Sequence, residues 1–379
     1  MNSRVAAALQ AYRLCQRCSE RQGAGARFEA VPGVRCFICA GTMDRTSRMA
    51  ETAAKRARRY QFKTFAVGVT FPDGVQERED ELRSDLKLKG SETIKTQAAR
   101  LVTAGVSEML GKRPDKQRPD VTLLADFGTG EVTTAARPVF FYGRYTKPPG
   151  VSQRRVVCDI CRGAGCKKCR DTGFERKPSV EEALREKLTG FSGSDKMIFT
   201  WLGSEDRGSR VYRPGRPFVV EVKNPRRRAF PKKFGARLRA GLVAVSSGRV
   251  LESKPVRLPA FRFITRIRAT AATKVSPEGL AALRSGFRKA SVRFERPHNR
   301  PTTKTVYRVS GTARGRTLFI VAELDGGLPV KRFVSGELVS PSVSEVLKTE
   351  VGCRSFDICG VREIGGFGFA EIARNEEKN

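Results

Sequence analysis

The sequence predicts an α+β fold with two domains, residues 1–175 and residues 176–379. Cysteine pairs form two clusters, at positions 15–39 and 158–169, and the segment between them mixes strand-like and helical patterns. The second half of the chain carries several short strand-like runs. We therefore expect a smaller α/β domain that contains both cysteine clusters, followed by a larger sheet domain with helices.

The charge of the chain predicts a nucleic-acid partner. Its 379 residues include 73 Lys and Arg against 39 Asp and Glu, a formal net charge of +34. Such a surface needs a polyanion to neutralise it, and phosphate backbones are the usual one. A thermophilic surface would instead raise Lys and Glu together. The sequence lacks an apolar run long enough for a signal peptide or a membrane span, so we expect a cytoplasmic protein without membrane contact.

The first cysteine cluster predicts a structural zinc site. Cys15 and Cys18 form one C-x-x-C pair, and Cys36 and Cys39 form a second. Each pair can direct two thiolates at one ion, and two pairs complete a tetrahedral zinc site. Four thiolates leave no coordination position open for catalysis, which indicates a structural metal.

The second cluster has the same composition in a shorter segment. Its ligands would be Cys158, Cys161, Cys166 and Cys169, and the glycines among them let the backbone turn tightly. The alternatives for both clusters are disulfides, which are rare in the cytosol, and an iron–sulfur cluster, whose common spacings differ from these.

The region between the clusters predicts a mixed α/β module. Residues 62–71 alternate like a strand, and Ser91–Leu110 has helical periodicity, with Ser91 as its N-cap. Strands are expected near Val121–Leu124 and Pro138–Tyr142, and Lys147–Gly150 is interpreted as a linker into the second cluster. Further strands are expected in the second domain, at Arg216–Val222, Leu242–Val245, Thr305–Val309 and Thr317–Ala322.

Motifs along most of the chain resemble the archaeal tRNA pseudouridine synthases that act on the T-arm. They include L-C-Q-R-C, T-F-A-V-G-V-T-F-P, S-E-T-I-K, P-V-F-F-Y-G-R-Y-T-K, G-S-E-D-R-G-S-R and V-K-R-F-V-S-G-E-L. The resemblance implies a zinc-containing, THUMP-like RNA-binding domain. A pseudouridine synthase domain with a mixed, mainly antiparallel sheet flanked by helices would follow it.

The resemblance also implies the site residues. Asp206 matches the catalytic aspartate of the family motif, and Lys331 matches a basic residue that pairs with it. Lys331 follows Val330 in a run that we interpret as strand-like. Four residues are expected to bind the substrate: Val330, Leu347, Arg210 and Arg216.

The implied activity is the isomerisation of uridine to pseudouridine in the tRNA T-arm, at positions 54, 55 or both. It needs a carboxylate at the sugar–base junction and a pocket for a flipped base, but no organic cofactor. The protein would work as a monomer, and the segment Phe294–Lys304 is interpreted as a loop that reaches the tRNA elbow.

The sequence leaves two other functions open. Family members carry Arg, a second Asp and an aromatic residue where this chain has Ser204, Gly208 and Pro329. A tRNA-binding protein or RNA chaperone derived from the enzyme is therefore one alternative. A zinc-ribbon transcription or ribosome factor is the other, and it explains the charge and the cysteines but not the C-terminal motifs.

Overall fold

Two compact units make up the structure, a computed structural model. One unit contains residues 1–138 and 223–228, and the other contains residues 139–222 and 229–379. The structure describes residues 12–23, 35–88, 92–203, 205–229, 236–238, 242–251, 253–296 and 299–369. Across these ranges, no helix has both the length and the apolar character needed to cross a bilayer.

The first unit is a four-stranded sheet with helices. Its strands are β1 (Thr64–Thr70), β2 (Arg113–Pro114), β3 (Val121–Asp126) and β4 (Val132–Ala136), in the order β2-β1-β3-β4. β1 runs parallel to β2 and β3, and β4 runs antiparallel to β3. The helices are α1 (Gln16–Arg21), α2 (Thr46–Ala57), α3 (Val75–Asp85) and α4 (Ile94–Leu110).

Helix α4 shows why this segment folds as it does. Its buried residues Ile94, Ala98, Val102 and Val106 recur every four positions, which gives one apolar stripe along the helix. The predicted helix and the predicted strand at residues 62–71 are confirmed within a few residues. The N-cap is Thr93, whose side chain accepts a hydrogen bond from the Thr96 amide, whereas Ser91 lies outside the described residues.

The second unit is built on an eleven-stranded, mainly antiparallel sheet. The strands are β5 (Val139–Lys147), β6 (Met197–Trp201), β7 (Val211–Val222), β8 (Ala236–Leu238), β9 (Val243–Leu251), β11 (Ala260–Ala271), β12 (Ala290–Arg296), β13 (Asn299–Arg314), β14 (Thr317–Asp325), β15 (Val339–Ser340) and β16 (Val351–Ile364). Their order is β15-β12-β13-β14-β11-β16-β7-β5-β9-β8, with β6 also paired to β7, and the β16–β7 pairing is parallel. Two further short strands pair with each other, β10 (Pro255–Arg257) and β17 (Gly368–Phe369).

Among the described residues, four α-helices accompany this sheet, and together they bear out the expected α+β class. They are α5 (Val180–Ser192), α6 (Pro277–Gly286), α7 (Val330–Ser335) and α8 (Val343–Leu347). Helix α5 begins at the Ser179 cap, whose hydroxyl accepts from the Glu182 amide, and it buries Leu184 and Leu188 in the core.

The division of the chain differs from the boundary predicted after residue 175. Strand β5 pairs with β7 and β9 of the large sheet, so the chain enters the second unit at Val139. The second cysteine cluster therefore belongs to that unit, between two of its strands. Lys147 is the last residue of β5, and its side chain is fully buried. This corrects its interpretation as part of a linker.

Two further expectations of local structure were wrong. The described parts of the segment Phe294–Lys304, residues 294–296 and 299–304, lie in the paired strands β12 and β13 rather than in a loop. Val330 and Lys331 lie in helix α7 rather than in a strand. The short run V-K-R-F-V fits both patterns, and the contacts of Phe333 and Val334 with the core favour the helix.

Gly105 provides a test of the packing in the first unit. A Cβ added at Gly105 on α4 would lie 2.9 Å from the Cβ of Ala50 on α2, which is too close without a shift of one helix. Gly105→Ala should lower the free energy of unfolding by about 1–3 kcal/mol through overpacking.

The matched control is Gly190→Ala on α5, where a Cβ would meet no atom within 4 Å. That variant should be more stable than wild type by about 0.5–1 kcal/mol, because alanine favours helix. Denaturant unfolding of both variants tests the packing, and equal stabilities would contradict it.

Candidate active site and metal centres

Asp206 lies in the loop that joins β6 to β7. Its Oδ1 accepts a hydrogen bond from the Gly208 amide at 3.1 Å, and its carbonyl accepts one from the Ser209 amide at 3.1 Å. This is an Asx-turn, the local structure for which Asp is favoured in a glycine-containing loop. The turn fixes the carboxylate, whose side chain is 29% exposed.

The other carboxylate oxygen of Asp206 forms an ion pair with the ammonium of Lys331. The hydrogen bond from Lys331 lowers the pKa of Asp206 below its ordinary value, and the same bond raises the pKa of Lys331. Both groups are therefore charged at neutral pH. The fold thus brings together two residues that are 125 positions apart in the sequence.

A buried charged cluster lies beneath this loop. The Glu205 carboxylate is 3.6 Å from the Lys147 ammonium and 3.6 Å from the Arg216 guanidinium, and all three side chains are buried. Burial raises the pKa of Glu205, while Arg216 and Lys147 act in the opposite direction. Tyr145 is also buried against Glu205, and its hydroxyl accepts a hydrogen bond from Gln153 at 2.9 Å.

Arg210 and Arg216, both expected to bind the substrate, lie in different environments. Arg210 is exposed at the end of the loop, where its amide donates to Asp357 and its guanidinium lies 5.7 Å from the centre of the Tyr212 ring. Arg216 is only 3% exposed, and its guanidinium donates to the Leu202 carbonyl at 3.4 Å. This buried position indicates that Arg216 supports the Asp206 loop.

Val330 and Leu347 lie on the two short helices. Val330 is buried at the start of α7, beside Lys331 in sequence. Leu347 is the last residue of α8, and its Cδ2 approaches the backbone of Gly279 on α6. Neither side chain is among those that line the cleft next to the loop.

That cleft has a volume of about 580 Å³, which suits a small planar group. Gly203 and Pro329 both line it, and they lie close in sequence to Asp206 and Lys331. Its other lining residues include the aromatic side chains Trp201, Phe261, Phe263 and Phe294 and the cations Arg154, Lys304 and Arg332.

The sequence did not identify the aromatic side chains that line the cleft, and of the buried cluster it identified only Arg216, as a substrate-binding residue. Trp201 stacks on Phe199 at 5.3 Å, and Glu205 stands directly before Asp206. The signal available for Glu205 was an acidic residue inside a family motif. No comparable sequence signal identified Lys147, because it precedes Pro-Pro-Gly and resembles the start of a loop.

The four thiols of the first cysteine cluster converge on one point. Their sulfur atoms all lie within 4.8 Å of one another, and the Cys15 and Cys39 sulfurs are 3.7 Å apart. A zinc ion with four sulfurs at about 2.3 Å separates the sulfurs by about 3.8 Å. Arg21 donates to the Cys18 sulfur at 3.4 Å and forms a buried ion pair with Glu79, which attaches this cluster to α3.

The second cluster converges equally well in spite of its short loop. The sulfur–sulfur distances are 3.9 Å for Cys158–Cys166, 3.7 Å for Cys161–Cys169 and 3.6 Å for Cys166–Cys169. The Gly165 amide donates to the Cys161 sulfur at 3.3 Å. A Cβ on residue 173 would lie 2.4 Å from the Gly163 carbonyl oxygen, so this close turn requires glycine.

Comparison with known proteins decides the family. The protein-family model described as "Pus10 THUMP domain, archaeal" matches residues 49–126, and a second family model described as "Pus10, C-terminal" matches residues 140–275. The tRNA pseudouridine synthase Pus10 of Cenarchaeum symbiosum is 32% identical over 324 residues, which cover 85% of this chain and 80% of the relative. The chain belongs to the Pus10 family. The Pus10 protein of Archaeoglobus fulgidus is 30% identical over 92% of this chain and 99% of its own.

Membership of the Pus10 family confirms the predicted family and the predicted enzyme class, a tRNA pseudouridine synthase and hence an isomerase. The THUMP match falls within the four-stranded first unit, as expected for the N-terminal half. Among solved structures, a Cbf5–Nop10–Gar1 complex aligns over 59% of this chain and 48% of that chain. Its identity is 10% and the TM-score is 0.33, a likeness too low to establish a shared fold.

Both cysteine clusters should bind zinc, one ion each. Elemental analysis of reduced protein, purified without chelators, should find about two zinc ions per chain because each four-thiolate set holds its ion tightly. Cys161→Ser should lower the content to about one and leave the first site filled. Zinc-free wild-type protein would contradict the assignment of both clusters.

Proposed function

We propose that this chain converts uridine to pseudouridine in the T-arm of tRNA, at position 54, 55 or both, with Asp206 as the catalytic carboxylate. The observation that carries the proposal is the ion pair between Asp206 and Lys331. Both residues lie close in sequence to residues that line the cleft with the aromatic side chains. The relatives named tRNA pseudouridine synthase support the reaction class.

The reaction needs what this carboxylate offers. Pseudouridine formation breaks the bond from the sugar to a ring nitrogen, turns the base and joins the same sugar carbon to a ring carbon. A carboxylate at the junction can attack the sugar or stabilise it while that bond is broken. Asp206 is ionised at neutral pH, and Lys331 lowers its pKa so that the nucleophilic form persists to lower pH.

The cleft is proposed to hold the flipped base and its flanking phosphates. A uracil taken out of the stack can lie against Trp201 or Phe261, and Arg154 and Lys304 can neutralise neighbouring phosphates. Tyr307 supports the same wall, because its hydroxyl donates to Asp325 at 3.0 Å and Asp325 lines the cleft. These aromatic residues can replace the one that the sequence lacks at position 329.

The remaining substrate contacts are assigned by position. Arg210 is exposed at the end of the Asp206 loop and is proposed to contact RNA, with Leu347 and Val330 as apolar support and Arg216 as support for the loop. The β12–β13 hairpin is proposed to reach the tRNA elbow. We further propose that the protein works as a cytoplasmic monomer and that its two zinc ions are structural.

A tRNA-binding protein without catalysis is the second candidate. Gly208 favours it, because the family motif places a second acid at that position. In the structure, however, residue 208 contributes its backbone amide to Asp206, a contact that glycine provides as well as aspartate would. The activity of variants separates the two candidates.

Asp206→Asn should abolish turnover while leaving tRNA affinity nearly unchanged. The substitution keeps the shape but removes the nucleophilic charge, so the single-turnover rate should fall on the order of 10³-fold or more. Lys331→Met should slow the reaction about tenfold at neutral pH, because the Asp206 carboxylate loses the ion pair that holds it. It should also move the acid limb of the rate profile to higher pH, because the pKa of Asp206 is no longer lowered.

The matched control is Glu175→Gln, which removes a carboxylate paired with Lys177 at 2.6 Å elsewhere in the same unit. It should turn over like wild type. An Asp206→Asn variant that works as fast as the control would rule out Asp206 as the catalytic carboxylate.

A further inference from the structure

Lys147 contacts the Asp206 loop in an unusual way. Its ammonium donates to the carbonyl oxygens of Asp206 at 3.2 Å, Arg207 at 3.4 Å and Ser209 at 2.6 Å. The side chain is fully buried at the end of β5, so all its hydrogen-bonding capacity is directed at protein. One side chain thus binds three carbonyls in a four-residue segment.

Stability alone does not explain a buried ammonium at this position. Taking a charge out of water costs several kcal/mol, and apolar replacements of buried ion pairs are often neutral or stabilising. The Glu205 carboxylate at 3.6 Å offsets part of that cost, yet burial still lowers the pKa of Lys147. The carbonyl contacts are therefore the feature that an apolar side chain could not replace.

A second set of contacts attaches the same loop to the residues that follow Lys147. The Gly150 amide donates to the Arg207 carbonyl at 2.9 Å, and the Arg207 guanidinium donates back to the Gly150 carbonyl at 2.9 Å. The loop backbone is therefore held on one side by residues 147–150. On the other side, Lys331 holds the Asp206 carboxylate itself.

We propose that Lys147 is a positioning residue for the isomerisation: its three hydrogen bonds to the loop backbone set the direction of the Asp206 carboxylate. The inference rests on the proposed function of Asp206. Lys147 acts through the loop and lies out of reach of the substrate. Loss of these three hydrogen bonds lets the carboxylate move, and a displacement near 1 Å can lower a reaction rate about 10²-fold.

Lys147→Met tests the inference in the full-length protein with an unmodified tRNA transcript. We expect the single-turnover rate at saturating enzyme to fall about 30- to 100-fold, with the Kd for tRNA within about threefold of wild type. Hydrogen exchange of the Gly208 and Ser209 amides, which bond to Asp206, should become at least tenfold faster. A residue that served stability alone would leave the rate of the folded enzyme unchanged.

Arg185→Met is the matched control. Arg185 also donates to two carbonyls, those of Asp195 and Met197, but it fastens a different loop of the same unit. This variant should keep the wild-type rate and the wild-type exchange of the Asp206 loop. If the Lys147→Met protein does not fold, Lys147→Gln keeps two N–H donors without the charge, and its rate should fall about tenfold.

The inference is overturned if folded Lys147→Met or Lys147→Gln turns over like wild type, or if Arg185→Met loses activity to the same extent. The proposed function fails separately, through absence of product from wild-type protein. In that case, amide exchange still tests the role of Lys147. If the amides of the Asp206 loop exchange as slowly in Lys147→Met as in wild type, the three hydrogen bonds of Lys147 do not hold the loop.

Discussion

The parallel pairing between β7 and β16 is the constraint on which the candidate active site depends. It joins the two halves of the eleven-stranded sheet, with Val211 opposite Ile358. The Arg210 carbonyl accepts from the Ile358 amide at 2.9 Å, and the Arg210 amide donates to Asp357 at 2.8 Å. The Asp206 loop leads into β7, and the helix that carries Lys331 packs on β16. This junction therefore determines that the carboxylate and the ammonium meet.

The cations around the Asp206 loop favour the ionised form of its carboxylate. Lys331 pairs with Asp206 directly, and Lys147 contributes a further positive charge from the interior, so both lower the pKa of the carboxylate. Glu205 balances part of the buried positive charge through its pairs with Lys147 and Arg216. The result is a carboxylate that stays ionised and oriented, which is the form that attack on a sugar carbon requires. The two cysteine clusters, in contrast, could each hold a metal ion with four thiols, a ligand set typical of structural sites.

Local patterns were predictable from the sequence, whereas connections across the sheet were not. The convergence of the thiols follows from spacing alone, since a C-x-x-C turn directs both side chains to one side. The compact units divide the chain after residue 138 rather than after residue 175, because the second cluster is inserted between strands of one sheet, a pairing that no local pattern records. Lys147 was missed for a similar reason: its burial results from β7, 64 positions further along the chain at Val211.

The family motif predicted site residues rather than local structure. It selected Asp206 and Lys331 by correspondence, with no physical statement of how they would meet, and the fold supplies that statement. The resemblance gave Arg216 only as a substrate-binding residue and did not include Glu205, because the contact between the two residues depends on burial beneath the loop.

The most direct test of the account is to incubate wild-type protein with an unmodified tRNA transcript and to map pseudouridine by carbodiimide modification and primer extension. The account predicts stops that identify pseudouridine at position 54, 55 or both, and no other new stop in the T-arm. A transcript that binds the protein but acquires no pseudouridine would contradict the account and would leave a tRNA-binding protein in its place.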